Sequence, residues 1–226
     1  MIKPYKFDPH THTAESSGCS AIYAEELVEG YHAAGFGGIA ITDHLSDYFA
    51  SDYDDWGTCI DYFMHGYNTA KARGDELGLD VILGVEARFD ASYCDYLLFG
   101  LDEDFLRQNP YFYKRGLRKL YRSFGKEILI IQAHPYRGSG SPDVNFIHGI
   151  EVYNGNPRHK NRNNKARALS AAHPKLYTIS ASDTHEAGDI GSGWMELDRP
   201  VSDSWQFREL VMRGEYTLGQ AHNRHS

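Results

Sequence analysis

Short runs of apolar, β-branched and aromatic residues recur along the chain, separated by polar or glycine positions. Seven of these runs predict β-strands, at Tyr5–Phe7, Gly38–Ile41, Val81–Val85, Tyr96–Phe99, Ile128–Ile131, Ile150–Tyr153 and Tyr177–Ile179. Two stretches between them, Ala24–Ala34 and Tyr113–Phe124, place apolar side chains three and four residues apart, which predicts helices. Because strands and helices alternate, the pattern predicts an α/β fold with a mostly parallel sheet, open or closed into a barrel.

Two segments depart from this pattern. Leu45–Trp56 mixes aromatic residues with four aspartates and predicts a loop, which either forms a lid or wall beside a site or packs on its own aromatic rings. The stretch from Arg158 to Lys175 carries six basic residues and no acid. It is either the solvated face of a helix or a guide for an anionic substrate.

The overall composition narrows the classes of function. The chain has 226 residues and a formal net charge of −8, which disfavours a general nucleic-acid or membrane coat. No apolar run is long enough to span a membrane, and the first ten residues lack the apolar region of a signal peptide. We therefore expect a cytoplasmic protein with no membrane partner. The sequence leaves its oligomeric state open.

Histidines and acids follow the predicted strands. In a parallel α/β fold the carboxyl ends of the strands meet at one rim, so residues distant in sequence converge there. Two residues separated by one position in a strand share a face, which applies to His10 with His12 and to Asp183 with His185. Imidazoles and carboxylates suit Zn, Mn and Fe alike. The sequence therefore predicts a metal centre formed by His10, His12, Asp43, His44, Glu86, His134, Asp183 and His185.

Five segments resemble the motifs of the PHP (polymerase and histidinol phosphatase) superfamily, in that family's order. They are Asp8-Pro9-His10-Thr11-His12-Thr13, Ile41-Thr42-Asp43-His44, Gly84-Val85-Glu86, Gln132-Ala133-His134-Pro135 and Ser182-Asp183-Thr184-His185. The resemblance spans nearly the whole chain and implies one domain over residues 1–226. It further implies a distorted (β/α)7 barrel and a phosphoesterase site with two or three divalent ions.

The resemblance also implies which residues bind each ion. One ion would be held by His10, His12, Glu86 and Asp183. Glu86 would bridge to a second ion that His134 also binds. A third ion would bind His44 and His185. Asp8 and Asp43 would be carboxylates that orient the ligating imidazoles.

Two positions depart from the family pattern. Ser17 stands where members commonly carry an aspartate or histidine for the third ion, and Glu15 is the nearby residue that would replace it. Where many members have a histidine on the fourth strand, this chain has Asp95 or Tyr96, depending on the alignment. The number of ions, two or three, depends on these two positions.

The implied activity is hydrolysis of a phosphate monoester, or of a small nucleotide or oligonucleotide, by a metal-bound hydroxide. Arg137 and Arg88 are the candidates to offset the charge of the phosphoryl group, and either His185 or a bound water protonates the leaving oxygen. We expect a small phosphorylated substrate, with nucleic acid only as a short one.

Three alternatives remain open from the sequence. A 3′–5′ exonuclease would place the stretch from Arg158 to Lys175 at the mouth of the site. A catalytically reduced metal-binding module would explain Ser17 and the region of Asp95 and Tyr96. A more remote alternative is a metal hydrolase of C–N bonds, because distant histidines and an aspartate on a barrel also describe amidohydrolases.

Overall fold

A computed structural model describes residues 5–89, 92–137 and 142–221. Within these ranges the strands are β1 Tyr5–Thr11, β2 Gly38–Ile41, β3 His44–Leu45, β4 Asp80–Leu83, β5 Val85–Arg88, β6 Asp95–Phe99, β7 Leu129–Gln132, β8 Gly149–Asn154, β9 Tyr177–Ala181, β10 Gly193–Leu197 and β11 Tyr216–Gln220. The α-helices are α1 Ala24–Ala33, α2 Asp47–Ala50, α3 Trp56–Leu77, α4 Glu103–Gln108, α5 Leu117–Phe124, α6 Asn163–Ala172 and α7 Ser204–Arg213. Every predicted strand overlaps an observed one, so the expected α/β class is confirmed.

The strands form two sheets. Their orders are β11-β10-β1-β2-β4 and β3-β5-β6-β7-β8-β9. β1, β2 and β4 run parallel, as do β7, β8 and β9, and the two sheets meet at a parallel bridge between Thr11 and Thr184. The described residues therefore form two adjoining sheets, and the expected closed (β/α)7 barrel is not seen among them.

The expectation of a mostly parallel sheet fails at β6, which runs antiparallel to both β5 and β7. Only residues 89–94 connect β5 to β6. A parallel crossover needs about a dozen residues or more, so this short connection reverses the chain. As a result, the amino end of β6 lies beside the carboxyl end of β5, and Arg88 pairs with Asp95.

An apolar interior lies between the sheets. Phe7, Leu97 and Ile131 are fully buried there, on strands from both sheets. Phe207 of α7 packs on this interior, with its ring centroid 5.0 Å from that of Phe7 and 4.7 Å from that of Phe99. This packing fills the space between the sheets and leaves the strand ends with the histidine and acid motifs available for polar groups.

The long helix α3 is absent from the sequence prediction. Its start is capped by the Asp55 side chain, which accepts a hydrogen bond from the backbone N–H of Thr58 at 2.9 Å, and Gly78 ends it with φ of 73°. In its middle, Gly66 lies so close to Thr13 that any Cβ would overlap the threonine hydroxyl. The helix therefore packs directly beneath the rim that carries the first histidine motif.

Two other predictions were wrong in detail. The expected helix Tyr113–Phe124 is broken at Gly116, whose φ is 79°, so a 3-10 turn at Phe112–Arg115 precedes α5. The expected loop Leu45–Trp56 contains the short helix α2 and leads into α3. None of the helices within the described residues is both long and apolar enough to cross a membrane.

Candidate metal centre

The chain brings most of the predicted ligands together at one rim. They come from the end of β1, the start of β3, the strand β5, and the segments after β7 and β9. These residues are His10, His12, His44, Glu86, His134, Asp183 and His185.

The centre of the cluster pairs two imidazoles with two carboxylates. The Nε2 atoms of His10 and His12 lie 3.1 Å apart. Glu86 Oε2 is 3.3 Å from the first and 3.2 Å from the second, while Asp183 Oδ1 is 3.4 and 3.3 Å from them. Both carboxylate oxygens are buried and have no hydrogen-bond partner. Such groups are costly to bury unless a cation compensates them.

The spacing of these four atoms fits a divalent ion. Ligands bound at about 2.0–2.1 Å in a tetrahedron lie about 3.3–3.4 Å from one another. The five distances that join the His10 and His12 nitrogens to each other and to the oxygens of Glu86 and Asp183, 3.1–3.4 Å, are close to that value. The donor set of two imidazoles and two carboxylates also suits Zn, Mn or Fe.

Glu86 faces the cluster with both oxygens. Oε2 lies toward His10, His12 and, at 3.0 Å, toward Nδ1 of His44. Oε1 lies 2.9 Å from Nε2 of His134 on the other side. A carboxylate with ligand-type neighbours on both sides has the arrangement expected of a bridge between two ions.

Asp95 joins the group on the His134 side. Glu86, Asp95 and His134 place ligand atoms within 4.8 Å of one another, and Asp95 Oδ2 lies 3.9 Å from His134 Nε2. The antiparallel direction of β6 explains this position, because it brings the first residue of that strand to the rim. Tyr96, the alternative from the sequence, packs instead in the apolar core.

A third group contains only histidines. His12, His44 and His185 place ligand atoms within 4.8 Å of one another. The ring centroid of His12 is 4.5 Å from that of His44 and 4.3 Å from that of His185. Glu86 Oε2 lies 3.0 Å from Nδ1 of His44 and Asp183 Oδ1 lies 3.4 Å from Nδ1 of His185, so this group shares its carboxylates with the centre of the cluster.

The structure does not bring Glu15 to this third group. Both Glu15 carboxylate oxygens accept hydrogen bonds of 3.0 Å from the backbone N–H of Ala24, at the start of α1. Ser17 lies nearer, with its hydroxyl 3.5 Å from Nδ1 of His12. The same hydroxyl donates a 2.7 Å hydrogen bond to Asp43. Glu15 therefore supports the helix, and Ser17 connects His12 to Asp43.

The imidazole of His10 is oriented by Glu151. Nδ1 of His10 lies 3.0 Å from Oε1 of Glu151, whose other oxygen accepts a 2.6 Å hydrogen bond from the backbone N–H of His134. Asp8 accepts hydrogen bonds from the backbone N–H of His10, at 3.2 Å, and from the Tyr31 hydroxyl, at 2.7 Å. The signal for Glu151 was an acidic residue within the otherwise apolar strand β8.

Arg137 is held inside the cluster by two asparagines. Its guanidinium donates to Asp183 at 2.5 Å, to Asn154 at 2.9 Å and to Asn161 at 2.8 Å. The Asn156 side chain donates to the backbone carbonyl of Asp183. Asn154 and Asn161 therefore position Arg137, and Asn154 and Asn156 position Asp183.

Arg88 lies at the edge of the cluster and is half exposed. Its guanidinium donates two hydrogen bonds to Asp95, at 2.6 and 2.9 Å. Two cavities adjoin it, one beside His44 and one beside His134. Arg88 is therefore open to both cavities, whereas Arg137 borders only the cavity beside His134.

Attraction between the imidazoles and the carboxylates sets the charges of the central side chains. Burial alone would lower the pKa of His10, but the carboxylates of Asp183, Glu86 and Glu151 raise it well above its usual value. Burial alone would raise the pKa of Glu86 and Asp183, yet the nearby histidines, His10 first, hold both well below their usual values. The centre of the cluster thus favours a positive charge.

His185 behaves differently. Burial, together with the charge of His12, lowers the pKa of His185 to about 3. An imidazole of such low pKa is neutral near pH 7. The neutral ring can bind a metal through its free nitrogen. It lacks the second ring proton, which a general acid would give to a leaving group.

Two of the ligand candidates have strained backbones. His134 has φ of 28° and Asp183 has φ of 56°, in the left-handed region that non-glycine residues rarely adopt. Such strain persists when the surrounding contacts enforce it, and it is concentrated at functional sites. Here the Glu151 bond to the backbone of His134 and the Asn156 bond to the carbonyl of Asp183 provide those contacts.

Known structures share the fold at low sequence identity. A two-domain protein from Bacteroides vulgatus, containing a predicted PHP-like metal-dependent phosphoesterase, matches at 18% identity with a TM-score of 0.67. The alignment covers 96% of this chain but only 65% of that protein, so the present chain spans about two thirds of its length. No curated protein matches the chain.

Two further structures match over nearly their whole length. One, from Bifidobacterium adolescentis, is assigned as a metal-dependent phosphoesterase and matches at 17% identity, a TM-score of 0.55 and coverage of 93% of this chain and 98% of that one. The other is an amidohydrolase from Chromobacterium violaceum with bound sulfate and no metal, at 18% identity, a TM-score of 0.55 and coverage of 97% and 99%.

The family models give the assignment. The PHP domain model matches residues 8–180, and the model of a PHP-associated region matches residues 160–216. The first match covers more than half of the chain and contains the motifs from His10 to His134. The chain therefore belongs to the PHP domain family, as its motifs predict.

Proposed function

We propose that the protein is a metal-dependent phosphoesterase that releases phosphate from a small monoester. The observation that carries the proposal is the central pair of buried, unpartnered carboxylate oxygens of Glu86 and Asp183, within 3.4 Å of the imidazoles of His10 and His12. Bound divalent ions would supply a water of lowered pKa and would offset the negative charge of the phosphoryl oxygens.

We assign the ligands as the geometry groups them. His10, His12, Glu86 and Asp183 form the first site. Glu86 also reaches the second site, formed with His134 and with Asp95 in place of the histidine common in the family. The third site comprises His12, His44 and His185. His185 is thus proposed as a ligand, because its low pKa does not suit the role of general acid.

The remaining roles fall to the two arginines and Glu151. Arg88 is open to both cavities and can donate to phosphoryl oxygens, which stabilises charge that develops during hydrolysis. Arg137 holds Asp183 in its strained conformation. Glu151 orients His10 and fixes the backbone at His134.

The exonuclease alternative receives less support. It expects the basic stretch from Arg158 to Lys175 to face the mouth of the site. Arg158 is instead paired with Glu186 and Asp189, and Arg167 bonds to Gln220 on β11. Among the described residues of this stretch, His159 is the one that borders the cavities beside the cluster.

The direct test is hydrolysis by the full chain loaded in turn with Zn²⁺, Mn²⁺ and Fe²⁺. We expect release of inorganic phosphate from monoesters, and loss of that release on chelation. Retained metal without hydrolysis of any phosphoester would favour the binding-module alternative. Hydrolysis of an amide but of no phosphoester would favour the C–N hydrolase.

A further inference from the structure

A cavity of about 570 Å³ opens beside the His44 and Glu86 side of the metal cluster. Its volume lies within the usual range for small-molecule sites, about 300–1,000 Å³. Its floor is formed by His44, Glu86, Arg88 and Asp95, so a ligand in it would reach the proposed ions. The side chains in the walls of the cavity indicate what kind of group the rest of the substrate contains.

One wall is aromatic. It consists of Tyr48, Phe49 and Tyr53, from α2 and the segment that follows it. The Phe49 ring is held in place by two other rings. Its centroid lies 5.2 Å from that of Tyr53 and 6.0 Å from that of Phe63 in the core. Tyr48 is 88% exposed, so its ring is free to cover a ligand.

A second wall consists of the segment Ala14–Cys19, whose residues apart from Glu15 are small. The Ser16 hydroxyl donates to the backbone carbonyl of Phe63 at 3.0 Å, and Ser17 donates to Asp43 at 2.7 Å. Both walls are therefore anchored, the first by contacts between rings and the second by hydrogen bonds. A wall with three aromatic side chains suits a planar ring, which stacks on such side chains.

The charges in the cavity disfavour a second anion. Arg88 is the single lysine or arginine among the described residues that line it, and it is already paired with Asp95. Glu15 and Asp52 place two further carboxylates in the walls. Away from the ions, an additional phosphate would meet like charge with no cation to offset it.

We propose that this cavity takes the leaving group of a phosphate monoester, and that the leaving group contains an uncharged planar ring. The inference rests on the proposed phosphoesterase function and specifies its substrate class. The phosphoryl group lies at the floor, near Glu86 and Arg88, and the ring stacks on the aromatic wall that contains Tyr48. Hydrolysis forms a P–O bond to water and breaks the P–O bond to the leaving alcohol, which takes up a water proton.

The test compares substrates that share the same ester. Adenosine 5′-monophosphate and ribose 5-phosphate have the same primary phosphate ester and differ by the planar ring. For the metal-loaded full chain we expect kcat/KM to be about tenfold higher for the nucleotide, as stacking on an aromatic side chain would give. A 5′-phosphorylated dinucleotide, with its additional phosphate, should be a poorer substrate than the mononucleotide.

The outcomes separate this inference from the function on which it rests. Equal kcat/KM for the nucleotide and ribose 5-phosphate would overturn the inference and leave the phosphoesterase function standing. A preference for the dinucleotide would also overturn it. Phosphate release from none of the three would instead count against the phosphoesterase function itself.

Two tyrosine variants test the wall directly. Tyr48→Ala should lower the preference for the nucleotide by about fivefold or more. Tyr23→Ala is the matched control, because Tyr23 is 63% exposed and borders neither cavity beside the cluster. An unchanged preference in Tyr48→Ala, or an equal loss in both variants, would contradict the assignment. Both side chains are largely exposed, so their truncation removes little core packing.

Discussion

The two halves of the metal cluster differ in burial and in charge. The inner half contains the carboxylates of Glu86 and Asp183 and the imidazole of His10, all exposed by 1% or less. The outer half contains His44, whose side chain is 32% exposed, and His185, with 12%. The inner half is surrounded by groups that fix its geometry, whereas the outer half is more exposed and its His44 borders the cavity.

This difference indicates how tightly each half should bind an ion. In the inner half two carboxylates offset the charge of a divalent cation, and burial strengthens that attraction. In the outer half the ligand atoms are imidazoles, and the carboxylates of Glu86 and Asp183 beside them are shared with the inner half. We therefore expect an inner site that retains its ions during purification and an outer site that exchanges them. The following predictions are ordered from the largest expected effect to the smallest.

Glu86→Gln should cause the largest loss. The substitution removes the negative charge that both sides of the cluster share, so we expect at least one ion to be lost. Phosphate release should fall by more than about 100-fold, since even residues that only support ligands are worth 10–100-fold. Metal analysis and steady-state kinetics measure the two effects. Glu209→Gln, on the exposed surface of α7, is the control, and wild-type turnover in Glu86→Gln would refute the bridging assignment.

Glu151→Gln should have the next largest effect. This side chain contacts His10 and the backbone of His134 without being a proposed ligand. We expect metal affinity of the inner half to fall about 10–100-fold, while the number of ions bound at saturation stays the same. Competition with a chromophoric chelator measures this affinity. An unchanged affinity would show that Glu151 does not support the site.

The metal-free protein should lose stability as the pH rises. The pKa of His10 is raised in the folded state, so its pairing with carboxylates stabilises the fold fully below about pH 6.5, the ordinary histidine pKa. That stabilisation is lost as the pH rises through the folded-state pKa. A bound cation does not depend on this proton.

The gap in Tm between loaded and metal-free protein should therefore widen from about pH 6.5 upward. Thermal unfolding followed by circular dichroism across that range measures it. A gap that stays constant with pH would contradict the charge assignment at His10.

His185→Ala should have the smallest effect on the cluster. It removes one imidazole from the outer half and leaves both carboxylates of the inner half in place. We expect the loss of one weakly held ion and a fall in kcat/KM of about tenfold or less, with the inner ions retained. Loss of every ion in this variant would mean that the two halves are not separable.

The sequence predicted which residues meet at the rim better than how they are arranged there. The histidine and acid motifs are local, and the rule that strand ends meet at one rim was enough to group His10, Glu86 and Asp183. It did not indicate that Glu151 orients His10, because Glu151 lies within an apolar strand and its partner is 141 residues away. Asp95 depended on the reversed direction of β6, which follows from the short connection before it rather than from its own residues.

The α/β class of the fold was predicted, but the two adjoining sheets of the described residues were not. The apolar runs identify seven strands, yet the alternating pattern of β10 and the short β3 did not stand out from their surroundings. The helix α3 was missed because glycines and charged residues interrupt its apolar face. Gly66 shows the reason for one interruption, since a side chain there would collide with Thr13 beneath the site.

The most direct test of the account is the metal content of the full chain purified without chelator, measured beside Glu86→Gln by elemental analysis. The account predicts two ions retained in the inner half of the wild type, a third that appears when metal is added, and a reduced count in the variant. A wild-type chain that holds no divalent ion even after loading, or a variant that retains the full number, would contradict the proposal that this cluster is a metal centre bridged by Glu86.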